Sequence, residues 1–491
     1  MDYLSLKSGT DVRGVASDIF GEEINLTDKA VSDITYAFVC WLTDTLEKPA
    51  EDLTVSVGHD SRISADRISK SVIDALVSSG INVKNCNLAS TPAMFMTTVE
   101  IGCDAAMQIT ASHHPADRNG LKFFTRSGGL DGKDIAEILK LANDETRYLP
   151  QKVGEVSDVD FMKAYAALLR NIICKETGKT EADKPLKNFH IVVDAGNGAG
   201  GFYAHDVLEP LGADISGSQF LNPDGMFPNH IPNPENKAAM ESICSAVINN
   251  KADLGVIFDT DVDRAGCVGK NGEEINRNRL IALSAAIVSK DNPGATIVTD
   301  SVTSDGLKTF IEENLGCAHY RYRRGYKNVI DKAKELCDNG TNSPLAIETS
   351  GHAALKENYF LDDGAYLVTK IIIEVAKGTD IDKLLMPLKM PVEEKEFRFK
   401  ITTDNFKVYG EQVIEMLEGF ALEQSDWKIA DDNREGIRIS VPNGWFLLRL
   451  SVHDPVMPIN FESDVEGGIA QTVDTLRPFF EKFANLDLCG F

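Results

Sequence analysis

One pattern recurs three times along the chain and restricts its fold more than any other feature. A β-branched run, Thr54-Val55-Ser56-Val57, meets a polar turn, Gly58-His59-Asp60-Ser61-Arg62. An amphipathic stretch then runs from Ala65 to Ser79, Gly80 ends it, and Ile81-Asn82-Val83 begins another strand. The second copy is His190 to Val193, the turn Asp194-Ala195-Gly196-Asn197-Gly198, a helix-like stretch to Leu211, Gly212, then Ala213 to Ile215. The third is Thr296 to Thr299, the turn Asp300 to Ser304, a helix to Leu315, Gly316, then Cys317 to Tyr322. Strand, polar loop, helix, glycine and strand is βαβ grammar. Any α/β protein repeats it, but copies at domain-scale spacing point to related domains.

The chain has 491 residues, beyond the roughly 250–300 at which single cores stop growing. The last hundred residues change character. Phe406 to Glu423 reads as a helix, Gly436 to Val441 alternates, Asn443-Gly444 turns, and Trp445 to Leu450 returns as a strand. A final helix is expected from Val465 to Ala484, and the boundary near Lys389-Met390-Pro391. The expected fold is α/β: three related mixed-sheet domains and a C-terminal α+β domain. The expected limits are 1–160, 161–275, 276–390 and 391–491.

Acidic residues outnumber basic ones 75 to 50, a formal charge of −25. Such a surface repels nucleic acid and anionic membranes, so neither is an expected partner. An anionic substrate then requires a local cluster of Arg and Lys. Nine scattered cysteines without a C-x-x-C pair read as reduced thiols. With no signal-peptide pattern and no long apolar run, the expectation is a cytoplasmic protein.

In α/β sheets chemistry gathers at loops leaving the carboxyl ends of strands. The sharpest such loop is Asp259-Thr260-Asp261-Val262-Asp263-Arg264, after the buried-strand run Leu254 to Phe258. In an extended segment the three carboxylates face one way, and a hard divalent cation such as Mg²⁺ relieves their repulsion. A solvated acidic turn is the alternative. An EF-hand fails, since its sixth position is Arg264 and its twelfth Lys270. Ser112 lies in Thr110-Ala111-Ser112-His113-His114-Pro115, after the strand-like Asp104 to Thr110. It reads as a reactive serine, as an ordinary capping turn, or as a Ser-His hydrolase whose adjacent Ser and His match a triad poorly. Lys122 is near enough to act as base or counter-charge.

Glu348-Thr349-Ser350-Gly351-His352 offers Glu348 and Ser350 to vicinal hydroxyls and His352 to orient substrate or move a proton, or is a structural turn. Arg321, Arg323, Arg324 and Lys327 around Gly325, and Arg449 with Ser451, suit a phosphate or form solvated charged faces. Gly196 to Gly201 satisfies G-x-G-x-x-G, but it fits a plain strand-to-helix turn as well as a dinucleotide site.

Together these stretches resemble the α-D-phosphohexomutases, the phosphoglucomutases and phosphomannomutases, over nearly the whole chain and in motif order. Gly9-Thr10-Asp11-Val12-Arg13-Gly14 is similar to the family's N-terminal segment. Thr110 to Pro115 is similar to its phosphoserine loop, with His114 where Asn is usual. Asp259 to Arg264 is similar to its metal loop, with Thr260 and Val262 in place of glycines. Arg324 to Lys327 resembles a basic substrate-contacting stretch, and Glu348 to His352 the sugar loop. The lid motif, usually Arg-Pro-Ser-Asn-Thr-Glu-Pro, reads Arg449-Leu450-Ser451-Val452-His453-Asp454-Pro455. Val452 and His453 thus remove an amide and a hydroxyl.

The resemblance implies four domains and an isomerase interconverting hexose 1-phosphate and hexose 6-phosphate, of glucose or mannose, through phosphorylated Ser112 and a hexose 1,6-bisphosphate. It implies Mg²⁺ on Asp259, Asp261, Asp263 and a Ser112 phosphate oxygen. Arg264, Lys122 and Arg13 assist phosphoryl transfer, and His113 supports the serine loop. Glu348, Ser350 and His352 meet the sugar, while Arg324, Lys327, Arg449, Ser451 and His453 meet phosphate. A phosphoglucosamine mutase, a metal-dependent sugar phosphatase and a non-catalytic sugar-phosphate binder are the competing readings.

Overall fold

The computed structural model describes residues 2–451 and 454–491, so Val452 and His453 lie outside the described residues. The chain divides into two compact units, Met1–Leu280 with Ser350–Asp382, and Ile281–Thr349 with Lys383–Phe491.

In the first unit, Thr54–His59 is the centre of a mixed sheet. It runs parallel to Asn82–Leu88 on one side and to Ala105–Ile109 on the other. Beyond Ala105–Ile109 the sheet turns antiparallel, through Arg118–Thr125 to Asp11–Val15. The strand Ala105–Ile109 is buried along its whole length, so the loop after it leaves from the middle of the sheet. The helix Ala65–Ser78 buries Ala65, Ile68, Val72, Ala75 and Leu76, the stripe that i, i+3 and i+4 spacing dictates. Gly80 follows with φ +92, a conformation that glycine adopts without strain.

A second sheet in this unit pairs Ile191–Asp194 with Leu254–Phe258 in parallel, then Ala265–Gly269 and Glu274–Ile275 antiparallel. The strand Leu254–Phe258 is buried at every position and delivers Asp259 at its carboxyl end. The helix expected up to Leu211 forms instead as a π-helical turn, Tyr203–Leu208, and a short 3-10 turn, Glu209–Leu211. Pro210 lacks the N–H that a regular α-helix requires there. The third copy repeats this departure, its helix Asp305–Thr309 opening into a π turn at Phe310–Asn314. The unit also holds the antiparallel hairpin Ala353–Leu355 with Leu361–Asp362, and the helix Gly364–Ala376.

In the second unit, Thr296–Asp300 runs parallel to both Ala318–Tyr322 and Leu345–Ile347. The C-terminal stretch forms an antiparallel sheet, ordered Lys428–Ile429, Ile437–Val441, Gly444–Leu448, Val456–Ser463, Glu393–Ile401, Leu486–Asp487. The expected hairpin forms, but Val441 pairs with Gly444, so its two-residue loop is Pro442-Asn443 and Gly444 already belongs to the strand. The helices form at Phe406–Leu422 and Gly468–Phe480, the second shorter than its periodicity predicts. Phe399, Val413, Leu417, Phe446, Ile459 and Phe480 are in their common core.

His319 gives this unit a testable pH response. Burial, then Arg321, Arg438 and Lys308, pull its imidazole well below the ordinary 6.5. The unfolded chain therefore binds a proton below pH 6.5 that the folded unit refuses, and stability falls as pH drops through that value. Urea midpoints between about pH 7 and pH 5 should fall less steeply in His319→Gln than in the wild type. Equal slopes would rule out His319 as a source of the acid lability.

Candidate functional site

Ser112 is on the loop between Ala105–Ile109 and Arg118–Thr125. It has φ +51, a left-handed conformation uncommon for a residue with a Cβ. Its Oγ donates to Asp259 Oδ2 at 2.9 Å and lies 3.3 Å from His113 Nδ1. Its N–H donates to Thr110 Oγ1 at 2.8 Å. Burial, and then the charge of Arg264, hold the His113 imidazole down at about 2. Burial and Arg13 hold that of His114 at about 3. Both rings are thus neutral near pH 7 and shape the loop without adding positive charge.

The aspartates converge, but not as an extended strand would bring them together. The chain leaves the sheet at Asp259 and turns, with Val262 at φ +68. A left-handed residue reverses the backbone locally, so the turn rather than a period of two gathers the carboxylates. β-Branched residues pay most for that conformation. Ligand oxygens of Asp259, Asp261 and Asp263 all come within 4.8 Å of one another, and all three side chains are buried.

Each carboxylate has a partner on one side. Asp259 accepts from Ser112 Oγ and from the Arg264 N–H at 3.2 Å. Asp261 Oδ2 accepts from Thr91 Oγ1 at 2.5 Å. Asp263 Oδ2 accepts from Lys122 Nζ at 2.6 Å. Asp261 Oδ1 and Asp263 Oδ1 are buried and make no hydrogen bond among the described residues. Buried anionic oxygens without donors are costly, and a hard divalent cation supplies what they lack. The donor set therefore fits such an ion. Burial, then Asp263 and Asp261, push the Asp259 carboxyl well above the carboxylate range. Burial acts upward on Asp263 too, but Lys122, His352 and Arg264 outweigh it and hold that carboxyl far down.

The other residues of this unit are close by. Lys122, on Arg118–Thr125, is also 3.7 Å from Asp261. Arg264 reaches Glu235 at 3.4 Å, and its backbone bridges to His352. Arg13 pairs with Asp11 at 2.9 Å and sits opposite Gly120 in the sheet. Ser350 is buried. The His352 Nδ1 is 2.5 Å from Asp362 Oδ2 and 3.9 Å from Asp263 Oδ1. Burial, followed by Asp263, raises the Asp362 carboxyl well above its usual range.

Thr91 and Asp362 escaped the sequence reading. Ser90-Thr91-Pro92 carries a helix-start signal, and Ser90 does cap Thr91–Glu100. Nothing local ties Thr91 to an aspartate 170 residues away. Thr91→Val keeps the shape and removes the donor. It should cost about 1.5–3 kcal/mol of stability, as for a hydrogen bond to a charged group, and weaken Mg²⁺ activation by about 10–100-fold. Magnesium titrations of activity and of melting temperature read both effects. A variant matching the wild type in each would show that Asp261 needs no such support.

In the second unit, Glu348 Oε1 accepts from the Gly325 N–H at 2.6 Å, which ties the expected sugar loop to the basic stretch. The Arg324 Nε is 3.9 Å from Asp300, and its backbone N–H donates to Glu435 Oε2 at 3.1 Å. Lys327 pairs with Asp331 at 2.9 Å. Burial, and then Arg324, lower the Arg449 guanidinium below its ordinary value. The Ser451 N–H donates to Val456 O at 2.9 Å. His453, expected to meet phosphate, lies outside the described residues. Glu435 was not foreseen. Its carboxylate also accepts from Ser301 Oγ at 2.5 Å, among the arginines expected to meet phosphate.

Comparison with known proteins adds a further finding. Residues 7–149 match the family described as "Phosphoglucomutase/phosphomannomutase, alpha/beta/alpha domain I", 163–272 match domain II, and 276–389 match domain III. The chain is 28% identical to a phosphoglucomutase of Neisseria gonorrhoeae over 479 residues, 97% of this chain and 96% of that one. It is 31% identical to a phosphomannomutase/phosphoglucomutase of Pseudomonas putida over 427 residues, 86% of each. A solved phosphoglucomutase/phosphomannomutase family protein from Burkholderia thailandensis superimposes with a TM-score of 0.81 at 26% identity, over 99% of this chain and 100% of that one. Among the described residues no helix is long and apolar enough to cross a membrane.

Proposed function

The chain belongs to the phosphoglucomutase/phosphomannomutase family, and from that premise we propose that Ser112 carries the phosphoryl group in a mutase acting on the 1- and 6-phosphates of glucose or mannose. The protein is a hexose-phosphate mutase, an isomerase whose substrates are small sugar phosphates. The phosphoserine, the bisphosphate intermediate, the ion and the residue roles are the proposed part. So are the domain limits near residues 160, 275 and 390.

The observation that carries the reading is the Ser112 Oγ held 2.9 Å from Asp259, with Asp261, Asp263 and Lys122 beside it. Asp259, Asp261 and Asp263 would hold Mg²⁺, with a phosphate oxygen on Ser112 as a further ligand. The bound ion would neutralise charge on the transferring group.

The residues then divide the work. A free hydroxyl of the sugar phosphate attacks the phosphorus on Ser112, the bond to Oγ breaks, the hydroxyl proton passes to a base, and a proton is returned to Oγ to regenerate the serine hydroxyl. Lys122 is the proposed proton carrier in its deprotonated form and the counter-charge otherwise. His352, paired with Asp362 and 3.9 Å from Asp263, is the second proposed carrier. The bisphosphate turns over, and its other phosphoryl group returns to Ser112. Arg264 and Arg13 assist at the phosphoryl site, and neutral His113 supports the loop. Glu348 and Ser350 take sugar hydroxyls. Arg324, Lys327, Arg449, Ser451 and His453 take the phosphate that is not being transferred.

The test is incubation with Mg²⁺, glucose 1-phosphate or mannose 1-phosphate and a trace of the 1,6-bisphosphate. Conversion to the 6-phosphate is expected. Release of free phosphate at an equal or greater rate identifies a phosphatase instead. Binding without turnover, indifferent to Ser112→Ala, identifies a binding protein.

A further inference from the structure

Behind the serine loop, away from Oγ, is a fully buried guanidinium. Arg62 follows the strand Thr54–His59, and its side chain is 0% exposed. Its Nη1 donates to Pro115 O at 2.6 Å and to Arg118 O at 2.9 Å. Its Nη2 donates to His114 O at 2.6 Å and also to Ser112 O. Its Nε pairs with Asp60 Oδ2 at 3.2 Å. Asp60 Oδ2 accepts from Thr110 Oγ1 at 2.6 Å, and Thr110 Oγ1 in turn accepts the Ser112 N–H. The Phe227 ring covers the guanidinium at 5.3 Å. Nearby, a Cβ on Gly225 would strike the backbone of Ser61, Arg62 and Ile63, so this neighbouring segment is pressed onto the turn that carries Arg62.

Burying a charged group this deeply costs several kcal/mol unless its donors are satisfied. Here one carboxylate and a set of peptide carbonyls satisfy them, and those carbonyls belong to the loop that bears Ser112. The peptides are planar and trans. With the Ser112 and Pro115 carbonyls turned toward Arg62, the N–H groups of His113 and Ala116 point the other way. The negative ends of these peptide dipoles are thereby drawn off the face opposite Arg62. Lys cannot substitute, because its three donors diverge from one nitrogen while Arg spreads five over a rigid fork.

Given Ser112 as the phosphoryl carrier, the reading on which this step rests, we infer that Arg62 is a positioning residue for the reaction. It clamps the carbonyls of residues 112–118, so the loop keeps one shape while Ser112 gains and loses a group of about two negative charges. It touches neither substrate nor the transferring atoms. Its loss should therefore act on kcat and spare substrate affinity.

The experiment compares wild type, Ser112→Ala, Arg62→Lys and Arg62→Ala under saturating Mg²⁺ with glucose 1-phosphate and trace bisphosphate. Misplacement of a reacting group by about 1 Å costs on the order of 10²-fold in rate, and Arg62→Lys should lose about that much kcat with KM unchanged within about threefold. Millimolar methylguanidinium should restore Arg62→Ala by about tenfold or more and should leave Ser112→Ala inactive. In the wild type, amide exchange at Thr110, Ser112, His114 and Arg118, whose N–H groups are hydrogen-bonded, should be equally slow with and without the phosphoryl group on Ser112, and this arm requires no variant to fold. The clamp is overturned if Arg62→Lys keeps the wild-type kcat, if KM rises while kcat holds, if folded Arg62→Ala ignores methylguanidinium, or if the loop loses protection in either state. Isomerisation by Ser112→Ala would instead remove the phosphoserine reading. An inactive Ser112→Ala beside a fully active Arg62→Lys would remove only the clamp.

Discussion

Ser112→Ala is expected to abolish isomerisation, with kcat lower by on the order of 10⁴-fold or more, as for the loss of a covalent nucleophile. No neighbour can replace it. The two histidines that follow are neutral, the Thr110 hydroxyl is engaged by Asp60 and the Ser112 N–H, and the carboxylates beside the serine face Lys122, Thr91 or one another. The substitution should leave the fold intact, since alanine meets the same left-handed backbone demand at φ +51 that serine already meets. One hydrogen bond to Asp259 is lost, worth about 1.5–3 kcal/mol. Intact-protein mass should show the wild type about 80 Da heavier after treatment with bisphosphate, and the variant unchanged. Full activity in the variant, or a phosphoryl adduct mapped to another residue, would end the proposed role of Ser112.

The second large effect is expected from Lys122→Met. Lys122 is 4% exposed and donates to Asp263 Oδ2 at 2.6 Å, with Asp261 Oδ2 at 3.7 Å. Methionine fills a similar volume without charge. Asp263 then keeps a buried negative charge beside Asp259, Asp261 and Asp362. Removing one partner of a buried pair costs about 3–5 kcal/mol. Denaturant stability should fall accordingly, and Mg²⁺ should recover part of the loss by replacing the missing positive charge. Activity should not recover with it. The proton carrier is gone, and such groups contribute about 10²–10⁴-fold. A variant as stable and as active as the wild type would show that Lys122 is neither counter-charge nor proton carrier. Stability restored by Mg²⁺ together with activity would assign it the electrostatic role alone.

Much of the site was legible because its motifs are local. Asp259, Asp261 and Asp263 follow a run whose apolar character marks a buried strand, and a strand's carboxyl end is where α/β sheets expose reactive groups. Lys122 is near Ser112 in sequence, yet its closest ion pair is with Asp263, 141 residues away. Alternation in an extended segment explains three facing carboxylates from local rules alone, whereas the structure uses a turn with Val262 left-handed, and no local rule places a β-branched residue there. The helix expected to reach Leu211 failed at a position where Pro210 already carried the warning.

The sequence by itself determined the units of the fold: strands by β-branched runs, helices by their apolar stripes, chain reversals by Gly80, Gly212 and the run Pro442-Asn443-Gly444. These are short-range consequences of backbone sterics and hydrophobic periodicity, and they need no knowledge of what packs against them. Only the tertiary structure decided which side chains support the chemistry. Thr91 on Asp261, Asp362 on His352, Glu435 on Ser301 and Arg62 behind Ser112 are polar contacts made after burial removes water. The first, third and fourth span 170, 134 and 50 residues. At those separations a hydrogen bond has no sequence period. Its partner is fixed by which strands lie side by side and by the cost of leaving a buried polar group unpaired.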